Sequence, residues 1–212
     1  MDVTAPDLPD ALEPWEAEPL ADGFGIEGAR VGADLAGARG TSGRFEQCEL
    51  DGISLSGSRL RSVTMLDVVA HRADVSNADW RGARLRRVVF EACRMTGVNL
   101  AEADVENVVF RDCKLDFASF QLGRLRRVAF EGCVLDEATF SGTTVIDARF
   151  AGSQLRRVEL DGVRLTRVDL RGAELEEPRG SVTGLRGSIV DPVQLVGLAT
   201  ILADELGITV AE

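Results

Sequence analysis

The chain has 212 residues, 45% of them apolar and 28% charged, with a formal net charge of −11 at pH 7. That is enough apolar chain for one domain with a buried core, while the acidic excess argues against a general affinity for nucleic-acid backbone. No window holds the roughly 18 consecutive apolar residues that a membrane-spanning helix needs.

The N-terminus is acidic and broken by proline: seven of the first 22 residues are Asp or Glu, and Pro6, Pro9, Pro14 and Pro19 interrupt it. It has neither the basic start nor the apolar run of a secretion signal, so a cytoplasmic chain is expected. Cys48, Cys93, Cys113 and Cys133 should then stay reduced. Residues 1–27 read as a disordered or extended acidic segment. Leu12, Trp15, Leu20 and Phe24 could fold over the start of the neighbouring domain or serve a partner, and capping is the preferred reading.

From Phe45 to Leu175 every fifth residue is apolar, 27 positions in one register. At 45% apolar content chance gives a run of that length with a probability on the order of 10⁻⁹. The position two residues earlier is small throughout, from Gly43 to Ala173, and only Ile53 exceeds valine. A five-residue period fits neither helix nor long strand. Two inward residues flanking one outward residue make a short strand, and the other two must turn a corner.

The segments ADLAG (33–37), ADVSN (73–77), ADWRG (78–82), ADVEN (103–107) and VDLRG (168–172) carry this pattern. It resembles the pentapeptide-repeat family, whose consensus is A(D/N)LXX. The resemblance implies an all-β solenoid, a right-handed quadrilateral β-helix with four repeats and hence twenty residues per coil. The 29 repeats of residues 33–177, within a β-helix domain expected over 28–190, give about seven coils, a rod of roughly 35 Å at the usual strand spacing.

A twenty-residue coil sorts the interior into ladders: Phe90, Phe110, Phe130 and Phe150 in one, Trp80, Phe120 and Phe140 in another, and Cys93, Cys113 and Cys133 in a third. The cysteines occupy the slot that also takes Ala, Val or Ser, and no histidine accompanies them, so they read as core and not as a metal or redox site.

Residues 191–212 carry helix signals, with Asp191 as N-cap, Pro192 in the first turn and Gly207 after the last. Leu195, Leu198, Ala199, Leu202 and Leu206 form a stripe expected to cap the final coil. Val193, Val196 and Ala203 form a second strip. Relatives in the family often dimerise through this region, which makes the second strip the expected homodimer contact.

No nucleophile–base pairing and no phosphate-binding glycine loop is legible, and the single histidine, His71, reads as solvent-facing. The expectation is a non-catalytic protein without cofactor or metal, acting as an interaction scaffold for a protein partner, with no nucleic acid or membrane bound directly. The resemblance supplies an alternative. Some members mimic a B-form duplex, bind DNA gyrase and protect it from quinolones or gyrase-poisoning natural products. The unbroken register resembles the loopless mycobacterial gyrase-binding type.

Charge placement bears on that choice. Residues 1–32 hold eight acids against Arg30, whereas residues 33–177 sum to only −2. Within the rod, the face of the units centred on 45 to 165 sums to +4 and the face centred on 35 to 175 to −4. The basic face is carried by Arg84, Arg86, Arg87, Arg124, Arg126, Arg127, Arg164 and Arg167. It is either a solvated surface paired to Asp104, Glu106 and Asp147, or a docking strip for an acidic partner or for the chain's own acidic tail, Asp7 to Glu18. Docking of the tail by charge would protect it from proteolysis in a salt-sensitive way.

Overall fold

The structure, a computed structural model, describes residues 2–16 and 18–209. Residue 1 and residues 210–212, at the outer ends of the first and last segments expected from the sequence, lie outside it. Five strands of eight residues, Arg44–Asp51, Thr64–His71, Arg84–Glu91, Asp104–Arg111 and Arg124–Glu131, stack in parallel and continue into Thr144–Arg149 and Arg164–Asp169. Each residue pairs with the one twenty further on, as in Phe90↔Phe110↔Phe130. The other two sides of the coil are shorter and are stitched by bridges such as Asp74↔Arg94↔Lys114 and Asp79↔Asn99↔Ser119. The protein is a parallel β-solenoid with one C-terminal helix.

The corners explain the period. Every residue whose number ends in 2 or 7, from Gly37 to Glu177, has φ between +45° and +73°. An inward–outward–inward strand closed by a left-handed corner carries the chain along one side of the coil and into the next. Glycine takes such a corner without steric cost, as at Gly52 and Gly57. Larger residues there cost roughly 1–2 kcal/mol each.

Inside, the fifth-residue centres and the small slots before them are almost all buried. Phe90, Phe110, Phe130 and Phe150 stack at centroid spacings of 5.2, 4.9 and 4.7 Å, with Phe120 and Phe140 stacked beside them at 4.9 Å. The slot polar groups are satisfied. Ser58 Oγ accepts from the Trp80 indole at 3.2 Å, and Thr143 donates to the Phe120 carbonyl at 2.7 Å. The thiols of Cys93, Cys113 and Cys133 lie 3.3–3.4 Å from the carbonyls of Ala70, Phe90 and Phe110. The two flanking thiols and burial push the Cys113 pKa far up, which keeps it a neutral thiol.

The rod has about nine turns, not the seven expected. At the N-terminal end Gly25–Glu27 pairs with Arg44–Glu46, and Ala29–Val31 with Glu49–Leu50, a step of nineteen residues. Glu13–Pro14 pairs in turn with Ala29–Arg30 at a step of sixteen. These shorter steps break the five-residue register, so the added turn is invisible to a periodicity count. At the other end Arg179 bridges to Glu159 and Ser188–Ile189 pairs with Val168–Asp169.

The ends are closed from both sides. Trp15, Leu20 and Phe24 are partly buried against the core, and the Phe24 ring lies edge-on to Phe45 at 5.1 Å. The C-terminal helix, Pro192–Glu205, starts on a capping box between Asp191 and Gln194. Its inward side differs from the expected stripe: it buries Gln194 and Leu198 and half-buries Ile201 and Leu202, while Leu195 and Leu206 are 51% and 73% exposed. Gln194 takes the central place because the last coil ends in open carbonyls. Its amide donates to Leu170 O at 2.5 Å and Ala173 O at 2.7 Å, which a leucine cannot do.

Candidate interaction surfaces

The long strands present one broad face whose outward residues include all the arginines singled out in the sequence. Glu106 is the hub of its centre. Arg86 and Arg126 approach it at 3.1 and 3.3 Å, and Arg127 closes on its other oxygen. Burial alone would raise the Glu106 pKa, but these guanidiniums hold it below the usual carboxylate range. Arg126 also reaches Asp104 at 3.5 Å, and Arg167 holds Asp147 at 2.6 Å. Arg84, Arg124 and Arg164 are exposed, and none has an acidic partner among the described residues.

A second feature has no clear signal in the repeat. The corner column Gln47, Asp67, Arg87, Asn107, Arg127, Asp147 and Arg167 contains no glycine although every member has φ near +50°. Its side chains link coil to coil, Arg87 to Asp67, Arg127 to Asn107 and Arg167 to Asp147. They also hold the N-terminal segment. Asp67 Oδ1 accepts the backbone N–H of Asp7 at 2.9 Å, Asn107 Oδ1 that of Thr4 at 3.4 Å, and Gln47 donates to the Asp7 carbonyl at 3.4 Å. Residues 2–8 thus run lengthwise across several coils. They lie beside an outward column of valines, with Val3 and Ala5 forming a shallow groove with Val89 and Val109.

The acidic tail therefore does lie on the rod, but on this corner column and through its backbone, not across the exposed arginines. The outward apolar run Val69, Val89, Val109, Ala129 is the available signal in the sequence, since outward repeat positions elsewhere are mostly polar.

At the far end Val193 and Val196, expected in a dimer contact, are 82% and 77% exposed, and Ala203 beside them is half-buried. Leu195, Leu206 and Ile208 add to this apolar surface. His71 is half-buried, its Nδ1 3.0 Å from a carboxylate oxygen of Glu91. Among the described residues no group of His, Cys, Asp and Glu is placed to hold a metal ion, and no helix is long and apolar enough to cross a membrane.

Sequence comparison agrees with the geometry. The family described as "Pentapeptide repeat region" matches residues 71–140, and that described as "Pentapeptide repeats (8 copies)" matches residues 133–172. The chain is a pentapeptide-repeat protein. Among solved pentapeptide-repeat structures, full-length QnrB1, a plasmid-mediated fluoroquinolone resistance protein, is 22% identical. That match covers 89% of this chain and 97% of QnrB1 with a TM-score of 0.43. HetL, involved in heterocyst differentiation regulation in the cyanobacterium Nostoc, is 20% identical over 73% of this chain and 84% of its own, with a TM-score of 0.37. No curated protein matches the chain.

Proposed function

We propose that this pentapeptide-repeat protein is a non-catalytic interaction scaffold of the cytoplasm, acting as a homodimer joined through its C-terminal helix. The observation that carries the reading is how its reactive side chains are engaged. The thiols sit in core slots against backbone carbonyls, His71 is tied to Glu91, and most carboxylates of the broad face are closed by arginine. Flat faces and an exposed apolar end remain for recognition. Val193 and Val196, four-fifths exposed on one end of the rod, support the dimer.

Crosslinking capture from native extract, followed by mass spectrometry, tests the scaffold. One or a few specific, saturable partners are expected, and none above background would sink it. For the dimer, light scattering on wild type should give twice the chain mass at micromolar concentration, and Val193→Asp with Val196→Asp should give the monomer. A monomeric wild type would end that part of the reading.

The gyrase-binding reading has thinner support. A duplex mimic needs continuous negative potential, and the broad face carries Arg84, Arg124 and Arg164 without an acidic partner among the described residues. A supercoiling assay with and without ciprofloxacin separates the two. Inhibition or drug protection at low micromolar protein selects gyrase, and no effect at tens of micromolar sets it aside.

A further inference from the structure

The arginines of the broad face fall into two sets. Arg86, Arg126 and Arg127 converge on Glu106, Arg87 on Asp67, and Arg167 on Asp147. Arg84, Arg124 and Arg164 are left over, and they share one column: Arg84 pairs in register with Asp104, Asp104 with Arg124, Arg124 with Thr144, and Thr144 with Arg164. Successive unmatched arginines are therefore two coils apart, about 9.6 Å at the usual strand spacing.

The space between them is shaped. Three shallow clefts follow one another down the face: one bounded by Leu66, Arg84 and Arg86 with Asp104 and Glu106, one by Arg84, Leu122 and Arg124 with Glu102 and Asp104, and one without a carboxylate by Leu122, Arg124, Ile146 and Arg164. Leu122 is 67% exposed and sits at a left-handed corner with φ +57°, a conformation that costs a leucine and that Gly82 and Gly142 take freely two coils behind it and one ahead. An apolar side chain held out at a strained corner, between cations at a fixed pitch, is a patterned surface and not a solvated one.

We propose that this column docks an extended acidic segment of a partner protein, with carboxylates at every third residue and apolar side chains seated in the clefts. It deepens the scaffold reading and rests on it. A chain in the polyproline II conformation turns once every three residues and advances about 3.1 Å per residue, so every third side chain returns to the same face after about 9.3 Å, close to the arginine pitch. Each guanidinium can take a carboxylate bidentately. Phosphate would satisfy the same fork, but a nucleic-acid strand carries a charge about every 3.4 Å of axis. It would bring phosphates against Asp104, which stands between Arg84 and Arg124. At that rung the column repels added negative charge, whereas the rung between Arg124 and Arg164 is the neutral Thr144; discrete carboxylates spaced to the arginines avoid Asp104.

Fluorescence anisotropy tests this on the full chain, using a labelled peptide of four Glu-Leu-Pro triplets. The control peptide has the same composition with its four glutamates together. The triplet peptide should bind several-fold more tightly than the control at low salt. The combined change Arg84→Ser, Arg124→Ser and Arg164→Ser should weaken it about tenfold. Arg39→Ser with Arg59→Ser and Arg81→Ser removes the same charge from another face and should change binding less than about twofold. Melting curves confirm that both variants fold. Equal affinity for the two peptides, equal loss in the two variants, or tighter binding of an oligo-dT strand that the first variant abolishes would each overturn the proposal. Absence of peptide binding overturns it too and leaves the scaffold reading standing, because partner capture decides that separately.

Discussion

Arg87 Nε donates to Asp67 Oδ1 at 2.6 Å across one coil, and that same oxygen accepts the backbone N–H of Asp7 at 2.9 Å. The Asp67 side chain is only 6% exposed. One carboxylate thus joins neighbouring coils and anchors the N-terminal segment. Arg87→Ala leaves a nearly buried carboxylate without its cation and should destabilise the fold by about 1–3 kcal/mol. At this chain length that is a fall in Tm of roughly 2–4 °C per kcal/mol. Asp67→Asn keeps an acceptor for Asp7 and should cost less. An unchanged Tm for Arg87→Ala would show that the pair contributes nothing net.

Acid should undo the same arrangement at other coils. Arg87 holds the Asp67 carboxyl below its usual pKa, Arg167 does so for Asp147 and Arg171 for Asp169. At Glu106 and Glu131 burial pushes upward, but the surrounding arginines prevail and the net direction is down. Folded values below the unfolded ones mean that the native state binds fewer protons. The stabilisation is fully present above the unfolded carboxylate range, about pH 4, and is lost as pH falls through the depressed folded values. The Tm should be flat from pH 7 to about 5 and fall steadily below about 4. A Tm that holds to pH 3 would contradict this.

The repeat makes the interior legible and leaves the ends obscure. Centre and slot residues from Phe45 to Leu175 follow from the period, because a side chain's direction in a short strand depends only on its place in the five. The first turn escapes that logic. Its register steps of nineteen and sixteen residues are set by Phe24, Ile26 and Trp15 finding the core, not by local pattern. At the other end a leucine stripe is the natural reading of the helix, but the open carbonyls of Leu170 and Ala173 select Gln194. The basic face is legible as a face. Which of its arginines are paired is not, since that depends on carboxylates one coil away.

The N-terminal segment is held by backbone hydrogen bonds and by apolar contact beside Val89 and Val109. Charge is secondary, so protection of residues 2–12 from protease should be the same at low and high salt. Deleting those residues should uncover Val89 and Val109, raise binding of an apolar dye and lower the Tm. Protection that disappears in high salt would place the tail's acids on arginine instead.

Gly43 fills a small slot because Phe24 covers it. A Cβ added there would lie 1.9 Å from the Phe24 ring. Gly43→Ala should therefore displace the ring and cost about 1–3 kcal/mol. In a Phe24→Ala background the same change meets no ring and should cost much less. Additive effects in thermal unfolding of the double variant would mean that the two residues do not oppose each other as the geometry requires.

Leu170 is the next rung after Phe150 in the phenylalanine ladder, and an apolar cavity of about 30 Å³ lies beside it, lined also by Phe140, Phe150 and Leu175. The smaller residue leaves the stack one ring short at the end where the helix closes the coil. Leu170→Phe should extend the stack into that space and stabilise the protein by about 0.5–2 kcal/mol. The backbone carbonyl of Leu170 still receives Gln194, so the cap need not move. A lower Tm would mean that the ring overfills the space and pushes on Leu175, which lines the same cavity. Pairing Leu170→Phe with Leu175→Ala distinguishes the two cases. If the ring overfills the site, the smaller residue at 175 should recover stability. If it fits, the second change should cost the usual loss of a buried leucine, about 2–5 kcal/mol.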